Sequence, residues 1–210
     1  MRRLATALIV AGLALVAWSI VTTVWQEPFT ALASRRAQRA LTTQLAQRTR
    51  ADRVELARLT LREAARAYRR HSRDGEALGR IAIPRIRLHV VLVDGTSEPD
   101  LAKGPGLYRG DYLPGEGRLV YIAGHRTIFG APFSHLDELR RGDAVVITLP
   151  YGRFLYRVTG HRIVPATAVW VLRSHRREQL ILQTCHPRFS ASHRYLVYAT
   201  PVRPLTHQPT

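Results

Sequence analysis

An all-β domain preceded by an apolar segment and a helical one is the fold this sequence predicts, on three observations. Residues 4–25 form an uninterrupted uncharged run, residues 29–74 contain neither glycine nor proline, and from residue 80 onward short β-rich runs alternate with turn residues. Strands of that length bounded by Gly, Pro and Asp are the pattern of a mainly antiparallel sandwich or a closed barrel. Residues 80–203 are enough chain for one hydrophobic core.

The first element, "LATALIVAGLALVAWSIVTTVW" at 4–25, would be about 33 Å long as a helix, enough to cross a bilayer core. It reads as an uncleaved anchor behind a short cytoplasmic tail, residues 1–3. The segment "TALAS" at 30–34 offers an Ala-x-Ala processing site, but the apolar run is longer than a signal peptide needs. Arg2 and Arg3 favour a cytoplasmic N-terminus, and Arg35, Arg36 and Arg39 pull the other way. Residues 26–79 read as a basic helical spacer of one helix or two, rich in Ala, Leu, Arg and Gln. Leu61, Ala65 and Tyr68 share a face, yet no heptad stripe is sustained. "HSRDGEALG" then ends the helical pattern.

After it come seven β-like runs: "RIAI", "IRLHVVLV", "RLVYIAGH", "AVVITLP", "RFLYRVTGHRIV", "LILQTC" and "RYLVYATPV". Between them "SEPDLAKGPG" and "APFSHLDELRRGD" read as short helical turns, the second stopped by Gly142. Residues 204–210 form a C-terminal tail. The formal charge is +17, and Lys103 is the only lysine. Such a balance favours a polyanionic neighbour, and charge alone does not choose among nucleic acid, anionic lipid and others. The 13 arginines against six acidic residues in 26–80 suit either lipid headgroups or a solvated spacer.

Chemistry concentrates in three strand ends. Cys185, the only cysteine, closes an apolar run, so a strand would deliver its thiol to the sheet's rim. A single cysteine forms no intramolecular disulfide, which leaves packing, metal ligation or its own reactivity. A reactive thiol needs a cationic neighbour. Arg194 opens the last strand, and a turn through "HPRFSASH" would fold it back beside Cys185. His125 ends another run, after Gly124, and an imidazole there can give and take the proton of an acyl transfer. Each has a structural alternative: a buried cysteine, one of nine histidines, one of 31 arginines. His186 and Arg188 compete for the acid/base and cationic roles, and His186 beside Cys185 lacks the paired spacing of a zinc site.

The segments "AGHRTIFGAPFSHLDELRRGD" and "LQTCHPRFSASHRYLVYA" resemble the sortase family, most closely its actinobacterial class E type. The likeness covers about residues 80–203. It implies a closed eight-stranded β-barrel with short helices, set on the outer face of a Gram-positive membrane by a single span. Carried onto this chain, it implies Cys185 as nucleophile, His125 as general acid/base and Arg194 as stabiliser of the oxyanion. It implies attack on the Thr carbonyl of a C-terminal sorting signal similar to LPXTG or LAXTG, then transfer to an amine of a cell-wall precursor or a pilin. Partners would therefore be surface proteins or pilins, their amine acceptors and the membrane, with no nucleic acid and no cofactor. Where the family's signature has Thr, this chain has Ile181; Thr184 matches and is expected to face substrate or stabilise the oxyanion. No counterpart of a calcium-binding acidic cluster is evident, and no metal dependence is expected. A thiol hydrolase with the same Cys and His, or a non-catalytic basic module tethered to the membrane, are the other readings. Residues 161–179 read as either a lid or a groove wall.

Overall fold

The computed structural model describes residues 2–24, 28–174 and 177–202. The expected C-terminal tail, 204–210, lies outside the described residues, as do residue 1 and the junction 25–27. Helix α1, Arg2–Val24, leaves Leu4, Leu8, Ile9, Leu13, Leu15 and Trp18 exposed. Among the described residues no helix is long and apolar enough to cross a membrane. The membrane span expected over 4–25 therefore does not emerge from the structure.

Helix α2, Pro28–Leu56, and helix α3, Leu61–His71, divide the helical region in two. The break falls where Thr60 caps α3: its hydroxyl accepts the Glu63 N–H while the Glu63 carboxylate takes the Thr60 N–H, a reciprocal capping box. Both helices of the expected basic spacer lie on the barrel. Ala64, Ala65 and Tyr68 of α3 and Leu56 of α2 join the main core, and the Tyr68 hydroxyl donates to the Leu78 carbonyl at 2.7 Å. Leu41 and Leu45 of α2 pack on Ala77, Val91 and Val93. The Gln38 amide accepts the Val91 N–H and donates to the Val91 carbonyl, giving that residue's outward backbone groups a partner.

Eight strands close the barrel: β1 Ala77–Ile83, β2 Leu88–Asp94, β3 Gly106–Leu107, β4 Leu119–Ala123, β5 Ala144–Leu149, β6 Gly152–Pro165, β7 Gln179–His186 and β8 His193–Pro201. Their order around the wall is β1-β2-β3-β4-β7-β8-β6-β5. All pairings are antiparallel except β2 with β3 and β4 with β7. Seven strands match the β-like runs. The eighth, β3, is two residues long and leaves no periodicity to read. Helix α4, Glu98–Lys103, bridges β2 and β3. A Cβ on Gly106 would stand 1.9 Å from the Gly95 carbonyl oxygen, so only glycine lets β3 close on the preceding turn. The barrel interior is filled by Leu78, Ile81, Leu92, Ile122, Phe133, Ile147, Phe154 and Tyr156, each at most 1% exposed.

Candidate active site

The parallel pair β4–β7 and the antiparallel pair β7–β8 set the site. Ala123 at the end of β4 is in register with Gln183 of β7, so the chain beyond it runs alongside Thr184 and Cys185. Cys185 is itself the direct register partner of Arg194 on β8. His125, Cys185 and Arg194 thus leave three neighbouring strands at one rim and line one cavity of about 320 Å³. Cys185 is a free thiol, half-buried at that rim.

Gly124 makes the approach of His125 possible. Its N–H donates to the Gln183 carbonyl at 3.0 Å, and a Cβ there would meet the Phe133 ring at 2.6 Å. Any side chain would push the histidine segment off β7. Thr184, expected to face substrate or stabilise the oxyanion, is fully buried, and its hydroxyl donates to the Gly124 carbonyl at 2.9 Å. Strand alternation accounts for this: with Cys185 facing the cavity, its neighbour points into the barrel. The Thr184 side chain therefore ties down the turn before His125. Ile181 is buried in a satellite cluster with Leu119, Tyr121, Val164 and Leu196, an apolar setting that suits its hydrocarbon side chain.

His125 keeps its Nε2 buried and without a hydrogen-bond partner among the described residues. Burial lowers its pKa from the ordinary histidine value, and the charge of Glu98 on α4 opposes that shift. Arg194 is half-exposed and donates to the carbonyls of Ala191 at 2.7 Å and His193 at 3.1 Å. Both bonds leave from one terminal nitrogen, Nη1, and hold the guanidinium at the rim. It is close enough to Tyr121 for its charge to act against the burial that raises that phenol's pKa.

One organising residue escaped the sequence reading. Arg126, only 5% exposed, donates to the Cys185 carbonyl at 3.2 Å and to the Asp137 carboxylate at 2.9 Å, and lies 3.0 Å from His186 Nδ1. Its Nε is buried without a partner among the described residues, while its two terminal nitrogens join the histidine segment to the Cys185 strand. The signal was present as an arginine directly after His125, but 31 arginines in the chain give any one of them no weight. His186 is occupied by Arg126, and Arg188 donates to the Ser134 carbonyl at 2.7 Å. Neither lines the cavity.

One side of the cavity comes from the end of β6 and the segment after it. Val164, Pro165, Ala166, Ala168, Val169 and Leu172 line it opposite Tyr108 and Tyr121. Within 161–179, the stretch expected as a lid or a groove wall, the lining side chains fall between Val164 and Leu172. Together the parts make an apolar groove ending in a thiol, an imidazole and a guanidinium, the parts list for acyl transfer.

Comparison with known proteins points the same way. The sortase domain model matches residues 81–202. Sortase D of Bacillus subtilis is 38% identical over 130 residues, which cover 59% of this chain and 63% of that protein. The chain thus spans under two thirds of the length of that curated relative. A Clostridium perfringens sortase D5 transpeptidase superposes with a TM-score of 0.60 at 26% identity, covering 67% of this chain and 88% of the other. Sortase E from Streptomyces avermitilis superposes at 0.56 with 30% identity, covering 62% and 91%.

Proposed function

Because the chain belongs to the sortase family, we propose that it is a membrane-anchored cysteine transpeptidase acting on a C-terminal sorting signal of the LPXTG or LAXTG kind. The observation that carries this reading is the register pairing of Cys185 with Arg194 at the rim where His125 also opens. In the proposed reaction the Cys185 thiolate attacks the Thr carbonyl carbon, and the carbonyl electrons move onto oxygen. The Arg194 guanidinium, donating from a fixed fork, stabilises that oxyanion. Protonated His125 gives its proton to the departing Gly nitrogen as the C–N bond breaks, leaving a thioester. An incoming amine attacks the thioester, His125 takes the proton it sheds, and Cys185 is released. Tyr108, Tyr121 and the apolar wall from Val164 to Leu172 suit the side chains of an extended peptide. A groove shielded from water favours the amine over hydrolysis if the amine is held in place.

The anchor reading rests on α1, whose apolar side chains are exposed on all sides rather than packed on the barrel, and on the uncharged run 4–25. The catalytic domain then lies outside the membrane, where surface proteins or pilins and amine acceptors of the cell wall meet it. Intact-mass spectrometry tests the chemistry. Incubation with signal peptides should add the acyl fragment to Cys185, and a nucleophilic amine should discharge it as the amide. No adduct with any LPXTG- or LAXTG-like peptide, or activity surviving in Cys185→Ala, refutes the reading. Discharge at a rate indifferent to amine would make the protein a hydrolase instead.

A further inference from the structure

Thr30 and Ser34 stand one helical turn apart near the start of α2 and so share a face. That face meets the loop that follows β4. The Phe129 N–H donates to Thr30 Oγ1 at 3.1 Å, and a Cβ built on Gly130 would lie 3.5 Å from the Ser34 hydroxyl, itself on a buried residue. Phe129 at φ 52° and Gly130 at φ 73° both hold left-handed backbone, a geometry a phenylalanine keeps only where its surroundings fix it. This turn sets the Phe129 ring 5.1 Å from the His125 imidazole, tilted by 35°. The loop returns through Phe133, whose N–H donates to the His125 carbonyl at 3.0 Å.

We propose that the Thr30–Ser34 face of α2 is a positioning device for His125: it clamps the 125–133 loop so that Phe129 covers the imidazole and fixes its direction toward Cys185. The inference rests on His125 being the acid/base of the proposed function. Thr30 touches no reacting atom and acts through Phe129. The clamp also gives "TALAS" a use other than processing. Cutting after Ala33 would remove Thr30 and with it the hold on the loop, so the segment has to stay whole. Because α2 follows α1 in the chain, the clamp joins the anchor side of the molecule to its acid/base.

Its electrostatic consequence can be read directly. Burial, in a setting that includes the Phe129 ring, lowers the His125 pKa and outweighs the opposing charge of Glu98 on α4, while Cys185 and Arg194 share the imidazole's cavity. Releasing the loop admits water and moves the imidazole back toward the ordinary value of about 6.5.

The test uses the full chain in detergent micelles, with Thr30→Val to remove the acceptor at constant volume and Thr30→Ser to keep it. His125 is titrated by NMR, and kcat and KM are measured with the signal peptide that acylates Cys185. Thr30→Val should lower kcat roughly fivefold, the scale of one lost hydrogen bond, leave KM unchanged and raise the His125 pKa. Thr30→Ser should restore both. Phe129→Ala, at a half-exposed position that does not hold up the core, should raise the His125 pKa by itself if Thr30→Val fails to fold. An unmoved His125 titration in both variants, or a change in Thr30→Val that Thr30→Ser does not reverse, overturns the clamp. The titration needs no turnover, so a chain that never acylates sinks the enzymatic reading while the clamp is still judged.

Discussion

Arg194 is the residue where chemistry and structure separate most cleanly. It is held at the rim by backbone carbonyls and not by the core, so replacing it should cost rate and not stability. Arg194→Lys keeps the charge and loses the planar fork; we expect acylation to slow by about a hundredfold, the scale of one oxyanion donor, with unchanged thermal melting. Wild-type turnover would mean that charge alone suffices. Asp111 shows a different balance. It is 3% exposed, its Oδ2 has no hydrogen-bond partner among the described residues, and burial pushes its pKa up to about 6. The folded state therefore keeps this proton between about pH 4 and pH 6 while the unfolded chain has lost it. Stability from this group is full below pH 4 and falls as pH rises through that window. Asp111→Asn should raise the melting temperature at pH 7 by a few degrees, about 1 kcal/mol after allowance for partial solvation, and change it little at pH 4. Equal shifts at both pH values would contradict the assignment.

Among the elements, α3 does more than its place before the first strand suggests. It presents Ala64, Ala65 and Tyr68 to the interior, and the Tyr68 ring meets Tyr151 edge-on with centroids 5.7 Å apart. Tyr68→Ala should lose about 3 kcal/mol or more, combining a cavity with an unpaired Leu78 carbonyl, measured by urea denaturation. Thr60→Ala, which removes only the capping box, should cost about 1 kcal/mol. A chain begun at residue 80 would lack the whole helix and should fail to melt cooperatively. Leu61, Ala65 and Tyr68 were visible as a short apolar face in the sequence. Their target was not, because the surface that receives the helix joins β1 to Tyr151, two segments far apart in the chain.

At the scale of the whole molecule, the proposed arrangement is an apolar helix, a basic helix docked on a barrel, and a catalytic rim whose acid/base loop touches that basic helix. Removing residues 1–27 should move the protein from the membrane to the soluble fraction and leave the barrel folded, as flotation on liposomes and melting of the truncated chain would show. Flotation of the truncated chain on anionic but not neutral vesicles would assign part of the attachment to the arginines of α2.

The pattern of β-branched and aromatic runs between turn residues was enough to specify seven strands of an all-β domain, and the strand-end placement of Cys185, His125 and Arg194 was legible from the same pattern. Local periodicity carries that much because each strand's alternation and each turn's chemistry are written in neighbouring residues. Only the tertiary structure decided that a two-residue strand at Gly106 completes the barrel, that Thr184 points inward to the Gly124 carbonyl, that Arg126 binds the Cys185 strand, and that α2 and α3 lie on the wall. Each of these depends on which segments distant in sequence come to share a hydrogen bond or a buried surface, and closure of the barrel fixes those partners all at once.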